Sequence, residues 1–306
     1  MLRHDGPVTI PATTPGGDDF RCTAASLADE EPLAGTAPTD TAWLLVEHPG
    51  PWGRKAVDEA RLPDEVRAFL GGLEGVRVQL VRRPGGVAGP GTRVFTAQLT
   101  ADGARVGSTV LDDLAELVHL DVAALSAGVD PGLPTYDEPL WLVCTNGRRD
   151  RCCAEAGRSV AATLAGSWPE ETWETTHLGG HRFAATLLAL PSGLILGRLD
   201  AASAVHACRE VAAGRVPVDL ARGRAGLDPR AQVAELHLCR ELEERRLGAV
   251  RATDVDHDTV TVTTPVGACT VRVTAAPGAP RRQSCADPDS KTVDVYAVEA
   301  WVRLES

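Results

Sequence analysis

Two short apolar runs constrain the fold most. "TAWLLVEH" (41–48) and "PLWLVC" (139–144) are too short for core helices, are apolar at successive positions, and are bounded by turn formers. Such a run suits a central strand covered on both faces, which calls for helices packed on a sheet. The segments that follow supply them. After the first run come a helical pattern in "LPDEVRAFLGGL", strand patterns in "VRVQLVRR", "RVFTAQLT" and "GARVGSTV", and a helical "LDDLAELVHLDVAALSAG". After the second come a helix in "CAEAGRSVAATLAG", with Ala156, Val160 and Leu164 on one face, and a strand-like "TWETTHLGGH". A hairpin then turns at Pro191-Ser192-Gly193, and "SAVHACREVAAG" closes as a helix.

The repeated order predicts an α/β protein of the thioredoxin-like kind, with two similar α/β units packed together plus a C-terminal helix and β appendage. The units span residues 41–130 and 131–215, and only the second carries a Cys/His set. Residues 1–40, rich in Pro, Gly, Thr and acidic side chains, read as an irregular leader. The appendage, 216–306, has a helix opening at Asp228-Pro229 with Ala231, Ala234, Leu238 and Leu242 on one face. A hairpin turning near Pro265-Val266-Gly267 and a last strand in "KTVDVYAVEAWVRLE" complete it. The Gly/Arg-rich "ARGRAG" (221–226) reads as a loop. Asp254, Asp256 and Asp258 read as a solvated turn, because Thr259 and Pro265 stand where a calcium loop needs Gly and Glu.

Composition narrows the function. A formal charge of −11 opposes nucleic-acid binding, which needs a positive field. No apolar run reaches membrane-spanning length, and the first residues lack the apolar stretch of a signal peptide, so the expectation is a cytoplasmic protein with no membrane partner. A reducing compartment would keep most of the eight cysteines as thiols. Cys208 and Cys239 lie in helical patterns as small buried apolar residues. Cys22, Cys269 and Cys285 have no partner spacing and receive no role.

That leaves "CTNGRRDRCC" (144–153) and "HLGGHRFA" (177–184). Cys144 ends an apolar strand and Cys153 begins a helix, whose free N–H groups and dipole favour a thiolate. His177 and His181 flank two glycines, which suit a turn passing close to something bulky. Two thiolates and two imidazoles suit either a zinc ion or a Rieske-type cluster, in which one iron takes two Cys and the other two His. A third reading is a thiol–disulfide oxidoreductase in which Cys144 cycles with Cys152 or Cys153. The basic stretch Arg148-Arg149-Asp150-Arg151, with Arg182, reads as a charged spot that tunes a bound centre or docks an acidic partner, or as a solvated loop.

These motifs, with "EPLAGTAP", "WLLVEHPGPWG" and "LPSGLILGRLD" around them, resemble the sucrase/ferredoxin-like family, from about Cys22 to about residue 245. The resemblance implies a thioredoxin-like ferredoxin fold and a C-x8-C, H-x3-H pattern that binds a Rieske-like 2Fe–2S cluster. It carries the cluster and metal ligands onto Cys144, Cys153, His177 and His181, with Cys152 as the competing choice for Cys153. It further implies single-electron transfer with an unknown redox partner protein. Asn146 stands where many members would carry His, at a position that is not a ligand. Trp52-Gly53-Arg54 sits where the first unit would hold cysteines of its own, and reads as a cover for the cluster. No pair of carboxylates is placed for glycoside chemistry.

Overall fold

The computed structural model describes residues 19–86, 89–100 and 102–304. Helix α1 (Cys22–Ala28) comes first, so part of the expected irregular leader is helical. Residues 1–18 of that segment, and with them the stretch read for a signal peptide, lie outside the described residues. The first apolar run is strand β1 (Ala42–Glu47), followed by α2 (Ala56–Glu59), α3 (Asp64–Gly71), β2 (Val76–Arg82), β3 (Thr92–Thr100) and β4 (Gly103–Leu111). The helix expected over "LDDLAELVHLDVAALSAG" is instead two 3-10 turns, Leu114–His119 and Val122–Ala127. Asp113 caps the first turn, and extended backbone at Leu120 separates it from the second, so no continuous helix forms. Each turn still buries its apolar side chains, Leu117 in one and Val122 and Leu125 in the other.

The second run is β5 (Leu140–Cys144), followed by α4 (Arg151–Ser167), β6 (Thr172–Thr175), β7 (Leu187–Leu190), β8 (Leu194–Leu196) and α5 (Ala201–Ala212). The expected loop at 221–226 is in fact strand β9 (Ala221–Arg224), paired with β8. Its charges mislead because they point inward: Arg222 is 1% exposed and Arg224 pairs with the buried Glu235 at 2.5 Å. Helix α6 (Pro229–Glu241) leads to β10 (Arg251–Asp256), β11 (Thr259–Thr264), β12 (Gly267–Pro277), the short β13 (Arg281–Arg282) and β14 (Ser290–Lys291), and β15 (Asp294–Arg303). Asp254 and Asp256 therefore lie in a strand rather than a turn.

Nine strands form one mixed sheet in the order β4-β3-β1-β2-β6-β5-β7-β8-β9. Its two halves show the same pairing. β1 runs parallel to β2 and antiparallel to β3, which pairs with β4. β5 likewise runs parallel to β6 and antiparallel to β7, which pairs with β8. The halves join edge to edge through antiparallel β2–β6. The sheet curls, so that Ala104 N–H at the start of β4 donates to Pro191 O in the β7–β8 turn at 2.7 Å.

Alternation along the strands sorts the core. Trp43 and Leu45 of β1 meet Leu140, Leu142 and Cys144 of β5 on the inner face. Leu44 and Val46 face α3 and the 3-10 turns, while Trp141 and Val143 face α4 and α5. Helix α6 packs between β9 and a separate four-stranded sheet, β10-β11-β12-β15. Among the described residues, no helix is long and apolar enough to cross a membrane.

Candidate metal centre

β5 ends at Cys144, whose thiol falls on the buried inner face and is 0% exposed. The loop that follows is pinned at both ends. Thr145 N–H donates to Thr175 O at 3.1 Å, and the buried Asn146 donates its amide to Gly53 O at 3.2 Å. Asn146 thus ties the loop to the first half of the sheet. Trp52, of the stretch read as a cover for the cluster, stacks under Arg82 with the guanidinium 4.1 Å from the ring centre. Asp150 caps α4 by accepting from Cys152 N–H at 2.9 Å, which sets Cys152 and Cys153 in the first helical turn. The helix can approach this closely because position 157 is glycine. A Cβ there would lie 2.1 Å from Cys144 O.

Because β6 runs parallel to β5, both end at the same edge, and the loop after β6 brings in the histidines. β2 holds that loop. Arg77 and Gln79 both donate to His177 O, at 3.1 and 3.3 Å, and Gln79 accepts from Thr176 Oγ1 at 2.6 Å. Gly180 turns the chain at φ +69° into a 3-10 turn over His181–Phe183, and a Cβ on it would meet the Arg222 guanidinium at 2.3 Å.

The result brings three donors together. His177 Nδ1 lies 3.9 Å from Cys144 Sγ and 3.8 Å from Cys153 Sγ, with these three ligand atoms all within 4.8 Å of one another. His177 Nε2 then faces His181 Nδ1 at 3.3 Å. Of the sequence-predicted residues, Cys144, Cys153 and His177 therefore meet, while His181 lies on the far side of the His177 ring and outside that group. Cys152 turns away: its Sγ lies 3.4 Å from Cys285 Sγ.

Charge around the set is uneven. The Cys153 thiol and His177 hold Cys144 well below the usual thiol range against its burial, while Cys153, hydrogen-bonded to Cys144, is pushed up. Burial and the neighbouring His177 lower His181. Arg222 is fully buried, and burial together with Arg77 pulls its guanidinium down to about 9. Its hydrogen bonds go to neutral oxygens, those of Thr36 and of Gly179. The charges acting on it from the other direction are those of Cys144 and Cys153.

Two expectations about charge are corrected. Arg182 does not join an exposed basic spot; it is 3% exposed, pairs with Glu31 at 2.7 Å and donates to Arg282 O at 2.6 Å. Asp150 is not a solvated loop residue but 1% exposed. Burial opposes its charge, yet the N–H groups of Cys285 and Cys152, the Ser284 hydroxyl and His181 hold its carboxyl below the usual range. Sequence reasoning also missed Cys22 and Cys285, which reach Cys152 and Asp150 from opposite ends of the chain. No local spacing signals a set drawn from three distant segments.

The family model described as sucrase/ferredoxin-like matches residues 33–223, well over half of the chain. That span holds β1 to β9 nearly in full, with Cys144, Cys153, His177 and His181. The chain belongs to the sucrase/ferredoxin-like family. No curated protein and no solved structure matches it.

Proposed function

We propose that Cys144, Cys153, His177 and His181 bind a Rieske-like 2Fe–2S cluster and that the protein carries single electrons to a redox partner protein. The donor set supports this reading. Two soft sulfurs and His177 Nδ1 lie together, and the second imidazole, His181, follows in contact with His177 Nε2 at 3.3 Å. Bound there, such a cluster would supply one-electron transfer. The chain contributes the rest. Cys144 is supplied as a thiolate at the end of a rigid strand, and Gln79 and Arg77 orient His177 through its carbonyl. Arg222 lends a buried positive charge to the sulfur side. The matched pairing of the two halves further supports two thioredoxin-like units, the first without ligands.

One observation favours a second reading. A single tetrahedral zinc ion sets its sulfur and nitrogen ligands about 3.6 Å apart, close to the 3.8 and 3.9 Å seen here. Anaerobic purification separates the two. The cluster reading expects a red-brown protein with about two irons and two sulfides per chain, both lost in Cys144→Ser. A colourless protein holding zinc at these residues would establish the second reading instead.

A further inference from the structure

We propose a second metal site, a zinc ion held by Cys22, Cys152, Cys285 and Asp150, separate from the Cys144–His181 set. Its ligands come from three distant segments: α1, the cap and first turn of α4, and the connection between β13 and β14. Cys152 Sγ lies 3.4 Å and Cys22 Sγ 3.6 Å from Cys285 Sγ, and Cys22 Sγ lies 3.5 Å from Asp150 Oδ1. All four ligand atoms fall within 4.8 Å of one another. A tetrahedral zinc with thiolate ligands spaces its sulfurs about 3.8 Å apart, so the spacing is that of one ion. All eight cysteines of the chain are free thiols. Three thiolates and one carboxylate are a donor set suited to zinc.

Asp150 gives the independent reason. It is a buried carboxylate whose ion-pair neighbour among the described residues is His181 Nε2 at 3.9 Å, too far for a hydrogen bond. Its oxygens are nonetheless oriented with care. Oδ1 accepts from Cys152 N–H at 2.9 Å, and Oδ2 accepts from Ser284 Oγ and Cys285 N–H at 2.9 and 2.8 Å. A carboxylate fixed in this way and facing three sulfurs is arranged like a ligand with its supporting shell. A cation at the centre compensates its charge. Cys22 and Cys285 both lie outside the family-matched span, so the site is an addition made by the flanking segments. It would pin α1, which donates Thr23 Oγ1 to His181 O at 3.2 Å, and the 283–289 connection against the start of α4. The ion is thus a structural clamp beside the redox set.

The test is metal analysis of the full chain, desalted after anaerobic preparation with zinc present. About one zinc per chain is expected in addition to any iron, falling about tenfold or more in Cys22→Ala and Cys285→Ala. Cys285→His, which keeps a ligand, should retain it. Replacing zinc by Co2+ should give the intense absorption of tetrahedral thiolate coordination, and this readout needs no variant to fold. In His177→Ala about one zinc per chain should stay, whatever happens to the metal of the Cys144–His181 set. A wild-type chain without zinc, zinc unchanged in the Cys22 and Cys285 variants, or less than about one zinc per chain left in His177→Ala would each overturn the proposal. So would a disulfide among Cys22, Cys152 and Cys285 found in place of the metal.

Discussion

Arg222 places a buried positive charge beside the two sulfurs. It is a fully buried cation with hydrogen bonds to neutral oxygens, and the negative charge that acts on it is that of the two site sulfurs. Adding an electron to a bound cluster adds negative charge that Arg222 attracts. Arg222→Gln should therefore lower the midpoint potential by on the order of 50–100 mV, about 1–2 kcal/mol of charge interaction in a partly polar interior. Potentiometric titration of the variant checks this; an unchanged or raised midpoint would count against it. Nothing in "ARGRAG" reveals this role. Arginines between glycines look like a solvated loop, and only the pairing of β9 with β8 turns Arg222 inward. Cys144 and His177 were legible because their neighbours in sequence are also their supports: an apolar strand before one, a glycine turn after the other. Cys152 against Cys153 was not legible, because adjacent helical residues diverge by about 100° and spacing alone cannot say which faces β5.

Elements position the site by close approach rather than by contact area. Helix α4 passes so near the end of β5 that position 157 has no room for a methyl group beside Cys144 O. Gly157→Ala should improve helix propensity by about 1 kcal/mol yet destabilise the protein by about 1–3 kcal/mol, because overpacking against backbone outweighs it. Denaturant unfolding measures the sign. Stabilisation would mean that α4 can move away from Cys144 at little cost. The strands are legible because both faces of β1 and β5 are covered, which produces continuous apolar runs. The helices are less so where burial departs from one face. In α6, Gln232 and Glu235 are buried along with Ala234 and Leu238, because the helix lies between two sheets. Gln232 spends its amide on Ala37 and Leu227, and Glu235 accepts from Arg224 and Ala252 N–H. A one-sided apolar pattern could not show that.

At the scale of the whole molecule, the repeated order β-α-β-β-β was visible in sequence, but the way its copies join was not. Edge pairing of β2 with β6 carries no local signature, yet it brings Arg77 and Gln79 of the first half onto the His177 loop of the second. The first half is thus a support for the site, while the flanking segments bring Cys22 and Cys285 to the neighbouring Cys152 and Asp150. The central claim is that one inorganic centre is gripped by two sulfurs and two ring nitrogens. Pulsed electron spin resonance on the reduced, anaerobically prepared protein tests it most directly. The account expects a 2Fe–2S signal with two strongly coupled nitrogen nuclei, one of them lost in His177→Ala and one in His181→Ala. A cluster signal without nitrogen coupling, or coupling unchanged in both variants, would contradict it.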